Sequence, residues 1–248
     1  MCEVVREVLS RETRGRRSRL SVEDQVLLTL GYWREYRTRV SFGARFRLTQ
    51  IKCFAHCSES RRYFGQGWEV FSAEQKAIVR RKQADLYDCW CDGNDGRTPE
   101  KKQKRCYSGK KKRHTLKSQL IICEESREII ATFFGKGKTH DYQLYKQSRV
   151  KLSKEVEMKA DSGYQGLQKK HAKVLLPRKQ GKLKKLTKEE KRANRELARK
   201  RIRVENVIRR LKIFRILGER YRNRRKRLGL RFNLIAGIYN FELRDLKI

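Results

Sequence analysis

The chain has 248 residues, with 65 lysines and arginines against 28 aspartates and glutamates, and therefore a net charge of +37. This charge is far larger than solubility requires, so it predicts a polyanionic partner. Nucleic acid is the usual one, because neutralised phosphates release condensed counterions. No apolar run is long enough to span a membrane and the charged start excludes a signal peptide, so we expect a soluble, cytoplasmic protein.

The first patterned segment is LSVEDQVLLTLGYWREYRT, residues 20–38. Ser21 is placed as an N-cap, with Asp24 three residues later as in a capping box. The apolar positions that recur at helical spacing are Val22, Val26, Leu30 and Trp33. These signals predict a helix.

Neither the helical nor the strand period persists from Arg39 to about Arg105. Five of the seven cysteines fall in or directly after this stretch, at Cys53, Cys57, Cys89, Cys91 and Cys106. Together with His56 they are candidate zinc ligands, but the Cys-x₃-Cys and Cys-x-Cys spacings match the usual ligand pairs poorly. Disulfides are not expected in a cytoplasmic protein, and Cys123 is typical of a buried thiol.

Regular patterns return at residues 114–137, where two apolar runs flank a polar turn and predict a β-hairpin. The core candidates of this hairpin are Leu116, Leu120, Ile122, Ile129, Ile130 and Phe133. A His140-Asp141 turn and a short helix are expected next. The segment EVEMKAD then predicts a strand that carries Asp161 at its C-terminal end, followed by a turn and a helix over residues 162–173.

Residues 186–223 read as one helix that begins with a capping box of Thr187 and Glu190. Its apolar stripe consists of Val204, Val207, Leu211, Phe214 and Leu217, and Glu205 flanks that stripe. A last helix is predicted over FNLIAGIYNFEL, residues 232–243.

Asp161 and Glu205 form a candidate pair of metal ligands. Carboxylate oxygens are what two-metal phosphoryl transfer requires, and a strand end and a helix edge could bring these two together in a basic groove. The simpler interpretation remains open from spacing alone. In that interpretation Asp161 caps the next helix, and Glu205 pairs with Arg201 or Arg209.

Two basic clusters are candidate contacts to DNA phosphates. The predicted DNA-binding residues are Lys110, Lys111, Lys112 and Arg113 in the first, and Arg220, Arg222, Arg224 and Arg225 in the second. Dense runs of one sign repel themselves, which favours a phosphate partner over a solvated surface. Tyr107 and Tyr221 are interleaved as stacking candidates. His114 and His140 are interpreted as structural or DNA-positioning residues, and Asp141 as a turn residue.

Five long segments together resemble one known family. They are CYSGKKKRHTLKSQ (106–119), FGKGKTHDYQLYK (134–146), KADSGYQGLQKKH (159–171), LTKEEKRANRELARKRIRVENVIRRLKIFRILGERYRNRRKR (186–227) and GLRFNLIAGIYNFEL (229–243). The chain is similar there to the catalytic domain of bacterial insertion-sequence transposases of the DDE superfamily, in the insertion sequence five group. Residues 20–38 resemble the start of that family's helix-turn-helix region.

The resemblance implies an α/β fold: a ribonuclease-H-like mixed sheet flanked by helices, with a small, degraded helix-turn-helix region before it. The implied domains are 1–80, with 39–80 aberrant, and 81–248, with its first strand aberrant. The implied function is cleavage of insertion-sequence ends and their joining to target DNA, with Mg²⁺ or Mn²⁺. Asp161 would be the second catalytic aspartate and Glu205 the glutamate. The implied partner is double-stranded DNA rather than a membrane, bound by a homo-oligomer.

The first catalytic aspartate of the family is not in register here. The family places it nine residues before a proline, but the ninth residue before Pro99 is Trp90. Asp92 is the nearest substitute. Read one nucleotide later, residues 97–101 can give Glu-Arg-Pro-Lys, the family wording, and residues 39–49 can give a helix-turn-helix-like segment. We therefore hypothesise that residues 39–101 are translated in a displaced frame, and that this copy is inactive. The alternative function is a non-catalytic basic DNA- or RNA-binding protein.

Overall fold

The computed structural model describes residues 6, 20–38, 43–44, 83–91, 107–108, 113–150, 152–180, 186–223 and 227–245. It gives the backbone path alone for residues 83–91, 107–108 and 113–114. The predictions made for Asp92, for the cysteines at 53 and 57 and for His56 lie outside the described residues.

A five-stranded mixed sheet forms the centre of the described fold, in the order β5-β4-β1-β6-β7. Its strands are β1 (Gln83–Cys91), β4 (Leu116–Cys123), β5 (Ile129–Lys136), β6 (Glu157–Ala160) and β7 (Val174–Leu175). A separate short pair is formed by β2 (Tyr107–Ser108) and β3 (Arg113–His114). β1 is antiparallel to β4 and parallel to β6, with Leu86 opposite Ala160. β4 and β5 form the predicted antiparallel hairpin, which is confirmed.

Five helices have both ends within the described residues: α1 (Val22–Glu35), α2 (Asp141–Ser148), α3 (Lys188–Lys212), α4 (Arg215–Gly218) and α5 (Leu228–Asp245). The predicted caps are present, because the Ser21 side chain accepts from the Asp24 amide and Thr187 and Glu190 form a complete capping box. None of the described helices is long and apolar enough to cross a membrane.

The two faces of the sheet bury two separate apolar clusters, as the alternation of side chains along a strand requires. Leu120 and Ile122 of β4 belong to the cluster that includes side chains of α1, α3, α4 and α5. Ile121 and Cys123 belong to the other cluster, with Met158 and Ala160 of β6. The Cys123 thiol is free and buried, as the sequence predicted.

The last helix, predicted over 232–243, is longer than predicted, at Leu228–Asp245, and two other predicted helices are shorter or absent. The helix predicted over 186–223 ends at Lys212, because Ile216 would point away from Leu211 on a straight helix, and a chain turn before α4 lets both be buried. The helix predicted after Asp161 is replaced by two single 3₁₀ turns, Ser162–Tyr164 and Leu167–Lys169. Gly166, with φ of 97°, separates them in a conformation that an α-helix excludes.

Candidate metal centre

Asp161 lies directly after β6, at the C-terminal end of that strand. Its carboxylate Oδ1 accepts a hydrogen bond from the Ser162 amide, 2.7 Å away, and so caps the first 3₁₀ turn. Because Ala160 pairs with Leu86, the chain leaves the sheet here beside the middle of β1. The Asp161 side chain remains 36% exposed.

Glu205 lies on α3, directly after the point at which that helix becomes buried. Val204 and Val207, on either side of it in sequence, are core residues, whereas the Glu205 side chain is 61% exposed. The apolar neighbours therefore fix the position of a carboxylate that itself faces solvent.

Arg201 joins the two carboxylates. Its Nη1 is 3.2 Å from Asp161 Oδ1, and its Nε is 3.4 Å from Glu205 Oε1. The simpler sequence interpretation is thus correct in its contacts, since Asp161 caps a turn and Glu205 pairs with Arg201. The same contacts also bring the two carboxylates, 44 positions apart in the chain, to opposite sides of one guanidinium.

The donor set fits a hard divalent cation in its chemistry. Both groups are carboxylates and both are partly exposed, and carboxylate oxygens are the ligands that Mg²⁺ or Mn²⁺ prefers. Within the described ranges no cluster of three or more His, Cys, Asp or Glu residues is present. Two candidate ligands therefore converge here. A third would have to come from residues whose side chains the structure does not describe.

A partly buried ion pair supports the turn that follows Asp161. Lys117, on β4, contacts the carboxylate of Asp141 and donates to the carbonyl of Thr139 at 2.9 Å. Asp141 is the first residue of α2 rather than a turn residue, and its carboxylate lies against Gly163. A Cβ built on Gly163 would stand 1.7 Å from Asp141 Oδ2, so only glycine fits here without a shift. The turn is thereby held between α2 and the sheet.

The predicted DNA-binding residues have different environments. Arg220 is exposed. The Arg222 guanidinium contacts the Tyr36 carbonyl oxygen and lies 4.4 Å from the centre of the Tyr36 ring, which ties this segment to the end of α1. Tyr221 is 1% exposed, so its interpretation as a base-stacking residue is wrong. The predicted residues that lie outside the described side chains are Lys110, Lys111, Lys112, Arg113, Arg224 and Arg225.

Burial raises the pKa of the Tyr36 hydroxyl, so the ring is neutral at physiological pH. The backbone amide of Arg222 donates to that hydroxyl oxygen at 2.5 Å. Sequence reasoning missed this contact and the Lys117 pair, because both join residues far apart in the chain. The ion pair of Arg201 with Glu205 could be predicted from the sequence, because the two residues are four positions apart on a helix.

Comparison with known proteins places the chain in a family. Residues 95–240 match the model of the DDE superfamily endonucleases. The chain is also 44% identical over 230 residues to a protein of Microchaete diplosiphon named a probable transposase for insertion sequence element IS702, which covers 92% of this chain and 83% of the relative. No solved structure matches the chain. The chain belongs to the DDE superfamily of endonucleases, as its sequence predicted.

Proposed function

We propose that this chain is an insertion-sequence transposase that cuts DNA at the ends of its element and joins them to target DNA. The observation that carries the proposal is the convergence of Asp161 and Glu205 on Arg201. Family membership supplies the reaction class, and the net charge of +37 supplies the attraction to DNA. The related protein's name supports the assignment to insertion sequences.

The order of the strands supports a ribonuclease-H-like arrangement. β1 lies at the centre, two antiparallel strands extend the sheet on one side, and two parallel strands extend it on the other. Asp161 follows the strand next to β1, and α3 contacts β1. Carboxylates from β1, from the end of β6 and from α3 would therefore meet at one side of the sheet.

Asp161 and Glu205 would hold Mg²⁺ or Mn²⁺, which when bound activates an attacking hydroxyl and stabilises the leaving oxygen of a phosphodiester. The residues of this chain provide the geometry. The Ser162 amide and the Gly163 turn orient Asp161. The buried neighbours of Glu205 fix its position relative to the core. Arg201 offsets the repulsion between the two carboxylates before a metal binds.

The source of the first carboxylate is part of the proposal. Asp92 follows β1 by one residue, and Trp90 occupies the register position that the family gives to aspartate. The family match begins at residue 95, beyond β1. The competing account is that residues 39–101 are read in a displaced frame, in which the single tryptophan codon, TGG, shifts to a glycine codon. In that case both frames lack the aspartate.

Under that hypothesis the second candidate function is a non-catalytic DNA-binding remnant. The observation that favours it is the position of Trp90. The coding sequence of residues 35–110 separates the cases. A shifted frame that reads through as a helix-turn-helix, a strand and Glu-Arg-Pro-Lys supports the remnant, whereas stop codons in that frame contradict the displaced reading.

The enzymatic proposal is tested by strand cleavage of DNA that carries the ends of the element, with Mg²⁺ or Mn²⁺. We expect metal-dependent nicks that disappear in Asp161→Asn and persist in Glu196→Gln, a matched removal of one carboxylate from the exposed surface of α3. Tight, salt-sensitive DNA binding with no cleavage by the wild type supports the remnant. Cleavage that survives Asp161→Asn contradicts the assigned site.

A further inference from the structure

A basic stripe that neither predicted DNA-binding cluster includes runs along α3 from Lys188 to Arg210. Its members, all exposed, are Lys188, Lys191, Arg192, Arg195, Arg199, Arg203, Arg209 and Arg210. At 100° per residue these positions fall within about 60° of one line along the helix. Ile202 and Asn206 are the uncharged side chains within that line. We name this set the α3 stripe.

The opposite side of the helix explains why the stripe faces outward. The Arg178 amide donates to Asn194 Oδ1 at 2.9 Å, and Asn194 Nδ2 donates back to the Arg178 carbonyl at 2.9 Å. The Arg178 guanidinium donates to Glu190 at 2.6 Å. The chain segment before α3 therefore covers the face away from the stripe, which fixes the rotation of the helix.

The stripe places like charges next to each other at a cost in helix stability. Lys191 and Arg195, Arg195 and Arg199, and Arg199 and Arg203 are each four residues apart, a spacing at which equal charges repel. Arg192 is paired with Glu196, at 3.9 Å. Lys188, Lys191, Arg195 and Arg199 form no ion pair with any described residue. A bound polyanion would relieve this repulsion further than screening by water and salt does.

The dimensions fit duplex DNA. From Lys188 to Arg210 the helix advances 22 residues, which at 1.5 Å per residue is roughly 33 Å and close to one turn of B-DNA. The stripe continues past Glu205, which lies about 100° around the helix from the centre of the stripe. A membrane would require an apolar face, and the stripe offers one exposed isoleucine.

We propose that the α3 stripe is a docking surface for the phosphate backbone of double-stranded DNA. This inference deepens the proposed function and rests on it for the identity of the DNA. The contact is electrostatic and independent of base sequence, so it positions the duplex and leaves the choice of element ends to other residues.

The test compares two variants that remove three charges each. Lys188→Gln/Arg195→Gln/Arg199→Gln removes part of the stripe. Its matched control, Lys154→Gln/Lys170→Gln/Lys173→Gln, removes exposed charges at the end of the sheet opposite Asp161, near the start of β6 and β7. Binding of each protein to a 40-base-pair duplex of arbitrary sequence is measured against salt concentration, in metal-free buffer so that no cleavage occurs.

We expect the stripe variant to lower the slope of log affinity against log salt by about 2 to 3, because each lost phosphate contact removes about 0.9. Its affinity at 0.1 M salt should fall about a hundredfold. The control should keep the wild-type slope. An unchanged slope in the stripe variant, or equal losses in both variants, overturns the proposal. So does equally tight competition by duplex RNA, since an RNA partner is then indicated.

Effects on folding and on catalysis are measured separately from DNA binding. Gln is a good helix former, so thermal melting should show the stripe variant to be as stable as the wild type. The charge-preserving variant Arg195→Lys/Arg199→Lys should keep the wild-type slope, and Arg195→Gln alone should lower it by about 1. A reduced slope in a protein that cleaves nothing supports the stripe and counts against the enzyme. Normal cleavage with an unchanged slope leaves the enzyme standing and overturns the stripe.

Discussion

The two ends of α3 differ sharply in what they contact. Towards its C-terminus, Val204, Val207 and Leu211 are fully buried in the core beside the sheet. Towards its N-terminus, from Lys188 to Arg203, no side chain is fully buried, and the surface is dominated by exposed cations. Glu205 stands one residue beyond the change.

This difference shows how one helix can both anchor and present a functional group. Burial at the C-terminal end fixes the position of α3 against the sheet, because a close-packed core permits few alternative positions. The N-terminal end contributes little burial, so its sequence is free to carry charge. The Glu205 carboxylate lies where the two ends meet. The buried C-terminal end fixes its position, and the N-terminal end places positive charge near it.

The largest expected effect is on catalysis at the junction. Glu205→Gln keeps the shape of the side chain but removes its charge, so a metal held jointly with Asp161 loses one ligand. We expect the rate of DNA strand cleavage to fall at least roughly a thousandfold, as is usual for residues that act as a unit. Asn206→Asp, which adds a carboxylate at the next position, should not rescue it. Substantial cleavage by Glu205→Gln would show that the Glu205 carboxylate is not needed for the reaction.

The next effect tests the anchoring end. Leu211→Ala removes a side chain that is 1% exposed, and we expect it to lower the free energy of unfolding by about 2 to 5 kcal/mol. Ile213→Ala, two residues later, alters a side chain that is 52% exposed and should cost far less. Denaturant titration measures both. Equal losses from the two variants would mean that burial does not anchor the helix.

A smaller effect is expected at the turn after Asp161. Gly163→Ala places a Cβ within 1.7 Å of the Asp141 carboxylate in the present geometry, so the turn or α2 must shift. We expect a loss of about 1 to 3 kcal/mol in the free energy of unfolding, together with weaker Mn²⁺ binding. The added loss should shrink in an Asp141→Ala background, where the obstructing carboxylate is absent. Additive losses would show that Asp141 does not confine the turn.

The smallest expected effect concerns the N-terminal end of α3, which carries the exposed cations. Thr187→Ala breaks the capping box of α3 and should cost about 1 kcal/mol, whereas Thr187→Ser should keep the cap. Because this end of the helix is only lightly packed, the loss should appear as local opening. Hydrogen exchange should accelerate at the amides of residues 191–200 and change little at Val207. Uniform acceleration along the helix would contradict a division into two parts.

Much of the fold near the site was readable from local patterns. The caps at Ser21 and Thr187 and the hairpin of β4 and β5 follow from short-range spacing, and all were predicted. The end of α3 at Lys212 was not, because it depends on where Ile216 and Leu217 find their core contacts. The 3₁₀ turns after Asp161 depend likewise on α2, which packs against Gly163.

The candidate site was predicted in its residues but not in its arrangement. Asp161 and Glu205 were identified from a strand end, a helix edge and a resemblance to a family. Their common partner, Arg201, could be assigned to Glu205 from spacing, yet its contact with Asp161 requires the tertiary fold. The basic clusters were sought as contiguous runs, so the α3 stripe, which repeats at three and four residues, was missed.

The most direct test of the central claim, that Asp161 and Glu205 act together on one cation, is a titration with Mn²⁺ followed by electron paramagnetic resonance. The proteins compared are the wild type, Asp161→Asn, Glu205→Gln, the double variant and the control Glu196→Gln. We predict that each site variant weakens binding at least about tenfold, that the double variant is little worse than either, and that the control binds as the wild type does. Wild-type Mn²⁺ affinity in the double variant would contradict the account.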